Sequence, residues 1–153
     1  MKTFSLKGAI LIAAALLAVG CRNANNTQEP VQPEPQPAQQ EEVATSFDFN
    51  AMSPDTIANF KDGEGFVVMK MAQAVPNRVM LCTIPAGSSV GEHAHEADME
   101  VIYVQQGVAT IALDGVEQTY APGQVHYCPK GHSHTIANRG TEDLVIYNVV
   151  AAQ

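Results

Sequence analysis

Basic residues are scarce in this chain. Eight Lys and Arg stand against sixteen Asp and Glu in 153 residues. Lys2 and Lys7 are the charged residues of positions 1–20, so the rest of the chain carries six basic groups against sixteen acids, a net charge of −10. So acidic a chain argues against nucleic acid as a partner. Cysteine is rarer still, with three in all. A closed structural metal site is usually rich in thiolates, which this chain cannot supply. The apolar run over residues 8–17 is too short to span a bilayer.

What stands at the N-terminus instead has a three-part targeting layout. Lys2 and Lys7 give a positive start, an apolar stretch follows, and small residues precede Cys21. Leu17-Ala18-Val19-Gly20-Cys21 resembles the lipobox of bacterial lipoproteins, in which the cysteine is lipidated and becomes the new N-terminus. No twin arginine is present, which predicts export of the unfolded chain. Arg22 follows the cysteine with no acidic run, a pattern similar to lipoproteins sent to an outer membrane facing the periplasm. The expected address is therefore the bacterial cell envelope, with the lipid anchor on Cys21. Residues 1–20 read as the signal peptide and residues 21–46 as a tether. In the tether Pro30, Pro33, Pro35 and Pro37 alternate with Gln and Glu. Such a segment buries too little apolar surface to fold, and its prolines keep it extended. One domain over residues 47–153 remains, long enough for a single β-rich core.

Two stretches of that domain carry the chemistry. The first runs Gly87, five residues, His93-Ala94-His95, four residues, Glu100, six residues, Gly107. The second runs Gly123, five residues, Pro129-Lys130-Gly131, two residues, His134, three residues, Asn138. Side chains alternate along a strand, so His93 and His95 share one face. Glu100 is an odd offset from His95 and reaches that face only if residues 96–99 turn and Glu100 opens the next strand. Three imidazoles and one carboxylate suit a borderline divalent ion: zinc, iron, manganese, nickel or copper.

Both stretches resemble, position for position, the two sequence motifs of the cupin superfamily, over roughly residues 55–150. The resemblance implies an all-β cupin double-stranded β-helix, a jelly-roll β-barrel, in one domain. It also implies that His93, His95, Glu100 and His134 ligate the metal. Gly87, Gly107, Gly123, Pro129 and Gly131 would be turn residues, and Asn138 structural. Cupins include dioxygenases, isomerases and storage proteins, so architecture follows from the likeness more firmly than function does. Besides a structural metal in an interaction module, which the lack of thiolates disfavours, two functions stay open. One is a metal-dependent enzyme, dioxygenase-like or isomerase- or lyase-like, acting on a small oxygen-rich molecule, with Glu100 as ligand and proton shuttle. The other is a non-catalytic module that binds or senses a carbohydrate or organic acid. Near the second motif only Lys130 and Arg139 are basic, which disfavours a phosphorylated sugar.

Strands are expected over residues 66–71, 78–84, 100–104, 108–113, 116–120, 124–128, 135–137 and 144–150. Asp114-Gly115 signals a two-residue hairpin. Asp55 to Phe60 reads as a short helix or an edge strand. Cys82 and Cys128 sit in apolar patterns, which predicts buried free thiols, although export would permit a disulfide. His132 follows Gly131, whose turn throws it to the rim. His126 reads as a structural or surface histidine. Val79 to Ile84 is apolar on both faces, so a homodimer is expected to cover part of the outer one.

Overall fold

The computed structural model describes residues 45–153. The expected signal peptide, Cys21 and the tether up to residue 44 lie outside the described residues. Within them the chain forms ten strands: β1 (Asp55–Ala58), β2 (Phe66–Ala74), β3 (Asn77–Ile84), β4 (Ser89–Ala94), β5 (Asp98–Gln106), β6 (Ala109–Leu113), β7 (Val116–Tyr120), β8 (Val125–Cys128), β9 (Ser133–Ala137) and β10 (Leu144–Ala152). The segment after Pro54 is both of the expected alternatives at once. β1 is an edge strand on β2, and a single 3-10 turn, Phe60–Asp62, follows it.

Alternation builds these strands. In β3, Met80, Cys82 and Ile84 are buried while Val79, Leu81 and Thr83 are half-buried. In β10, Leu144, Ile146, Asn148 and Val150 point inward. The hairpin β6–β7 closes at Asp114-Gly115 with both residues at positive φ, the conformation its right-handed twist requires. Gly107 sits at φ 76, and a Cβ there would lie 2.8 Å from the Asp143 carbonyl oxygen, so no other residue fits that turn. Asn138 ties the second motif to the core. Its side-chain amide donates to the carbonyls of Ile84 and Glu142, and its own carbonyl accepts from Gly140 N–H.

The strands form two sheets, ordered β1-β2-β3-β10-β5-β8 and β4-β9-β6-β7. Their inner faces meet in one core, with Val67, Ile84, Ile102, Val104, Leu144 and Ile146 from the larger sheet against Val90, Ala109, Ile111 and Ile136 from the smaller. Each fully buried aliphatic side chain contributes about 1.5–3 kcal/mol. The jelly roll is as expected, but the closed barrel is not. Among the described residues the two hydrogen-bonded ladders stay separate. Three of the six changes of sheet run through turns at residues 85–88, 95–97 and 129–132, two of which begin with a proline that cannot donate to a ladder.

Register places side chains on the inner face of the larger sheet in rows. One row runs Gln73, Arg78, Val150, Glu100, Cys128 across β2, β3, β10, β5 and β8. The next runs Met71, Met80, Asn148, Ile102, His126. The third runs Met69, Cys82, Ile146, Val104. Glu100 therefore faces the smaller sheet from the row that also holds Arg78.

Candidate metal centre

The smaller sheet supplies the imidazoles. His93 on β4 is paired directly with His134 on β9, past an irregularity between Val90 and His93. His95 lies one residue beyond β4, where its backbone N–H donates to the His132 carbonyl. The chain turns over residues 95–97, and β5 opens at Asp98, two residues earlier than the sequence pattern indicated. Glu100 then projects inward from β5. One ligand atom from each of His93, His95, Glu100 and His134 lies within 4.8 Å of all the others. His134 Nε2 stands 3.1 Å from His93 Nε2 and 3.2 Å from His95 Nε2. Glu100 Oε2 stands 2.9 Å from His134 Nε2, 3.4 Å from His95 Nε2 and 3.8 Å from His93 Nε2.

The outward atoms decide what these inward atoms carry. His93 Nδ1 is 2.9 Å from the Gly91 carbonyl, which only accepts, so the proton sits on Nδ1. His95 Nδ1 is 2.7 Å from Asp98 Oδ1, with the same consequence. His134 Nδ1 faces His126 Nε2 at 3.1 Å, and His126 Nδ1 faces the Tyr120 hydroxyl at 3.1 Å. Asn148 donates to Glu100 Oε1 at 2.8 Å. With every Nδ1 donating outward, three Nε2 lone pairs and one carboxylate oxygen converge. Among the described residues Glu100 Oε2 has no hydrogen-bond partner despite the short approach to His134, because Nε2 has no proton to give in this tautomer. A buried anion left so is costly unless a cation sits among these atoms. The donor set thus fits a divalent transition metal held through Nε2, with outer hydrogen bonds of the kind that orient metal-bound histidines.

The electrostatics describe the same atoms with protons on the rings in the place of an ion. Burial alone would raise the Glu100 carboxyl. Its contacts with His134, His93 and His95, together with the Asn148 amide, outweigh burial and hold it well below the usual carboxylate range. His95 is shifted upward, chiefly by Glu100 and against the effect of burial, with Asp98 adding to the rise. Burial, and then the neighbouring His134, push His126 down to about 4, so its ring is neutral.

A cavity of about 440 Å³ opens onto the centre, lined by His93, His95 and Glu100 at its base. Met69, Met71, Met80 and Cys82 form one wall, and Arg78 and Lys61 also line it. Arg78 is fixed by Asp98 at 3.2 Å, so one carboxylate holds both His95 and the arginine. The 3-10 turn brings Phe60 and Lys61 over this space.

The remaining candidates fall as follows. His132 is exposed and pairs with Asp114 Oδ2 at the rim, as expected, and drives the Asp114 carboxyl down. Among the described residues Cys82 and Cys128 are buried and free, also as expected, with burial pushing the first up to about 12 and the second to about 11. Sequence reading placed His126 as structural or surface, and the structure buries it beside a candidate ligand. Asp98, Asn148 and Arg78 were missed. The offset of three between His95 and Asp98 was a usable signal, whereas Asn148 and Arg78 reach the site only through strand pairing.

A cupin domain model matches residues 80–150. The Oxalate-binding protein of Thermotoga maritima is 32% identical over 105 residues, covering 65% of this chain and 87% of that protein. This chain belongs to the cupin family. The cupin also resembles the crystal structure of a predicted oxalate decarboxylase from Thermotoga maritima, with a TM-score of 0.66 at 28% identity, over 69% of this chain and 97% of that one. The Schizosaccharomyces pombe Cnp3 cupin domain shares the fold alone, with a TM-score of 0.60 at 14% identity over 71% of this chain and 74% of that one.

Proposed function

We propose that this cupin binds a divalent transition metal through His93, His95, Glu100 and His134 and uses it to hold and transform a small carboxylate. The observation that carries the reading is the convergence of three Nε2 atoms on the unpartnered Oε2 of buried Glu100. Bound there, the metal would supply Lewis acidity or redox chemistry to an oxygen ligand. The chain's own residues do the rest. Asp98, Gly91 and His126 fix the ring orientations, and Asn148 fixes the carboxylate. Lys61 and Arg78, the latter paired with Asp98, line the cavity, and with a divalent ion on Glu100 the balance would suit an anion. The names of the Thermotoga maritima relatives point to oxalate as the first anion to try. Glu100 is buried and its Oε1 is held by Asn148, which favours a fixed ligand over a proton shuttle.

Metal content per chain after identical loading tests the site. His93→Ala, His95→Ala and His134→Ala should each lose most of the metal, and Glu100→Gln should weaken it, while the fold persists on its apolar strands. Unchanged content in all four would overturn the reading. Calorimetry with oxalate, with and without metal, followed by an assay for substrate loss, separates an enzyme from a binding module. Metal-dependent binding without turnover would favour the second reading, which the name of the oxalate-binding relative supports. The export proposal rests on Lys2, Lys7 and the residues before Cys21. A Cys21→Ser variant should lose its acyl label and leave the membrane fraction, and retention of both would sink it.

A further inference from the structure

Three of the chain's six methionines and one of its three cysteines occupy adjacent positions on two neighbouring strands. Met69 on β2 is paired with Cys82 on β3, and Met71 is paired with Met80. The residues are two apart on each strand, so all four side chains leave the same face. They form a two-by-two block on the cavity wall, one strand away from Asn148, the partner of Glu100. Directly paired residues have Cβ atoms roughly 4.5–5.5 Å apart. Methionine's three rotatable bonds let thioether sulfurs gather over such a block. Met69, Met80 and Cys82 are buried, while Met71 is 43% exposed and leads in from solvent. Leucine would complete an apolar wall equally well. Sulfur adds soft lone pairs on residues that line the cavity.

We propose that Met69, Met71, Met80 and Cys82 form a second metal site, selective for Cu(I), beside the imidazole centre. Thioether and thiolate ligands select this soft monovalent ion over the harder divalent ions that suit imidazole and carboxylate. On binding, the Cys82 S–H bond breaks, the sulfur keeps the electron pair for the metal, and the proton leaves to solvent. The charge of the site is then unchanged, because one cation enters and one proton leaves. No oxidant or reductant is required.

The site does not depend on the imidazole centre being a metal site, and the experiment keeps the two apart. Zinc-loaded protein is titrated with Cu(I) under anaerobic conditions against a chromophoric Cu(I) chelator. Wild type should take one Cu(I) per chain, and copper X-ray absorption should show sulfur neighbours. Met69→Leu and Met80→Leu conserve volume, so they should fold. Each should weaken Cu(I) by more than the roughly 10–100-fold that loss of an outer partner costs a metal site. Cys82→Ser should weaken it further. His93→Ala and His134→Ala should leave Cu(I) uptake intact. The proposal falls if wild type takes up no Cu(I), if the methionine variants bind as wild type does, or if uptake vanishes with the imidazoles instead.

Discussion

His126 Nε2 lies 3.1 Å from His134 Nδ1, and the contact fixes the tautomers of both rings. His134 donates to His126, His126 donates through Nδ1 to the Tyr120 hydroxyl, and Tyr120 donates to Gln118 Oε1 at 3.0 Å. Reversing any one donor would put a proton on the Nε2 of His134 that faces Glu100. His126 therefore holds His134 ready for a metal without touching the metal itself. His126→Ala should lower zinc affinity by about 10–100-fold, the usual cost of losing an outer partner. Gln can accept from His134 and donate to Tyr120, so His126→Gln should recover part of the loss. Zinc competition against a chromophoric chelator measures both, and equal affinity in all three proteins would refute the role.

Gly91 serves the site twice. Its carbonyl orients His93, and its missing side chain lets the Lys61 carbonyl approach β4. A Cβ at Gly91 would clash with that carbonyl and would lie 2.8 Å from the Gly63 nitrogen. Gly91→Ala must therefore push the 3-10 turn, with Phe60 and Lys61, away from the cavity. Overpacking of this kind costs about 1–3 kcal/mol. Denaturant melts should show that loss, and hydrogen exchange should rise over residues 59–65. Wild-type protection in that segment would show that the turn is not held by this contact.

The ligand set was legible because the motif spacing encodes it. His93, His95, Glu100 and His134 fall together in space, and the turn glycines Gly87, Gly107, Gly123 and Gly131 all adopt positive φ. The outer partners were harder to read. His126 alternates with exposed Val125 and Tyr127, so its inward direction was available from β8 once that strand was placed. Nothing local, however, tells that β8 lies beside β5 and brings His126 to His134. Asn148 is 48 residues from Glu100, and only the β10–β5 register joins them. The closed barrel failed for a similar reason. Strand patterns report faces and turns, whereas closure depends on whether edge strands find partners.

The metal-free protein should lose stability in mild acid through His126. Its ring is held at about 4 against an ordinary 6.5. Between those values the unfolded chain binds more protons, so stability falls as pH falls through the window and is fully present above 6.5. His95 has the opposite sign: its raised value gives stability below 6.5 that is lost as pH rises through the folded value. Glu100 gives stability above 4.5 that is lost only as pH falls through its depressed value. Comparing wild type with His126→Gln isolates the first contribution. The wild-type advantage should shrink by roughly 1–2 kcal/mol from pH 7 to pH 4, allowing for screening. Chemical denaturation in chelator at a series of pH values checks this, and a constant gap would contradict it.

The outer face of the larger sheet predicts a second copy of the chain. Val125, Tyr103, Tyr147 and Leu81 form one continuous row across β8, β5, β10 and β3. Tyr127, Val101, Val149 and Val79 form the row beside it. Tyr103, Val125, Tyr127 and Val149 are exposed. Phe49 packs on Tyr147, with ring centroids 5.9 Å apart. An apolar array two rows deep and four strands wide is unusual on a monomer's solvent face. Self-pairing by a two-fold axis would stack one array on the other, and a stable interface needs about 1,200–2,000 Å² in total. Light scattering at micromolar protein should give a dimer mass. Tyr103→Lys combined with Val149→Glu places charges in both rows, so it should give a monomer that keeps its metal, since these residues face away from the site. A wild-type monomer would remove the second copy as the cover for this face, and a double variant that stayed dimeric would move the interface elsewhere.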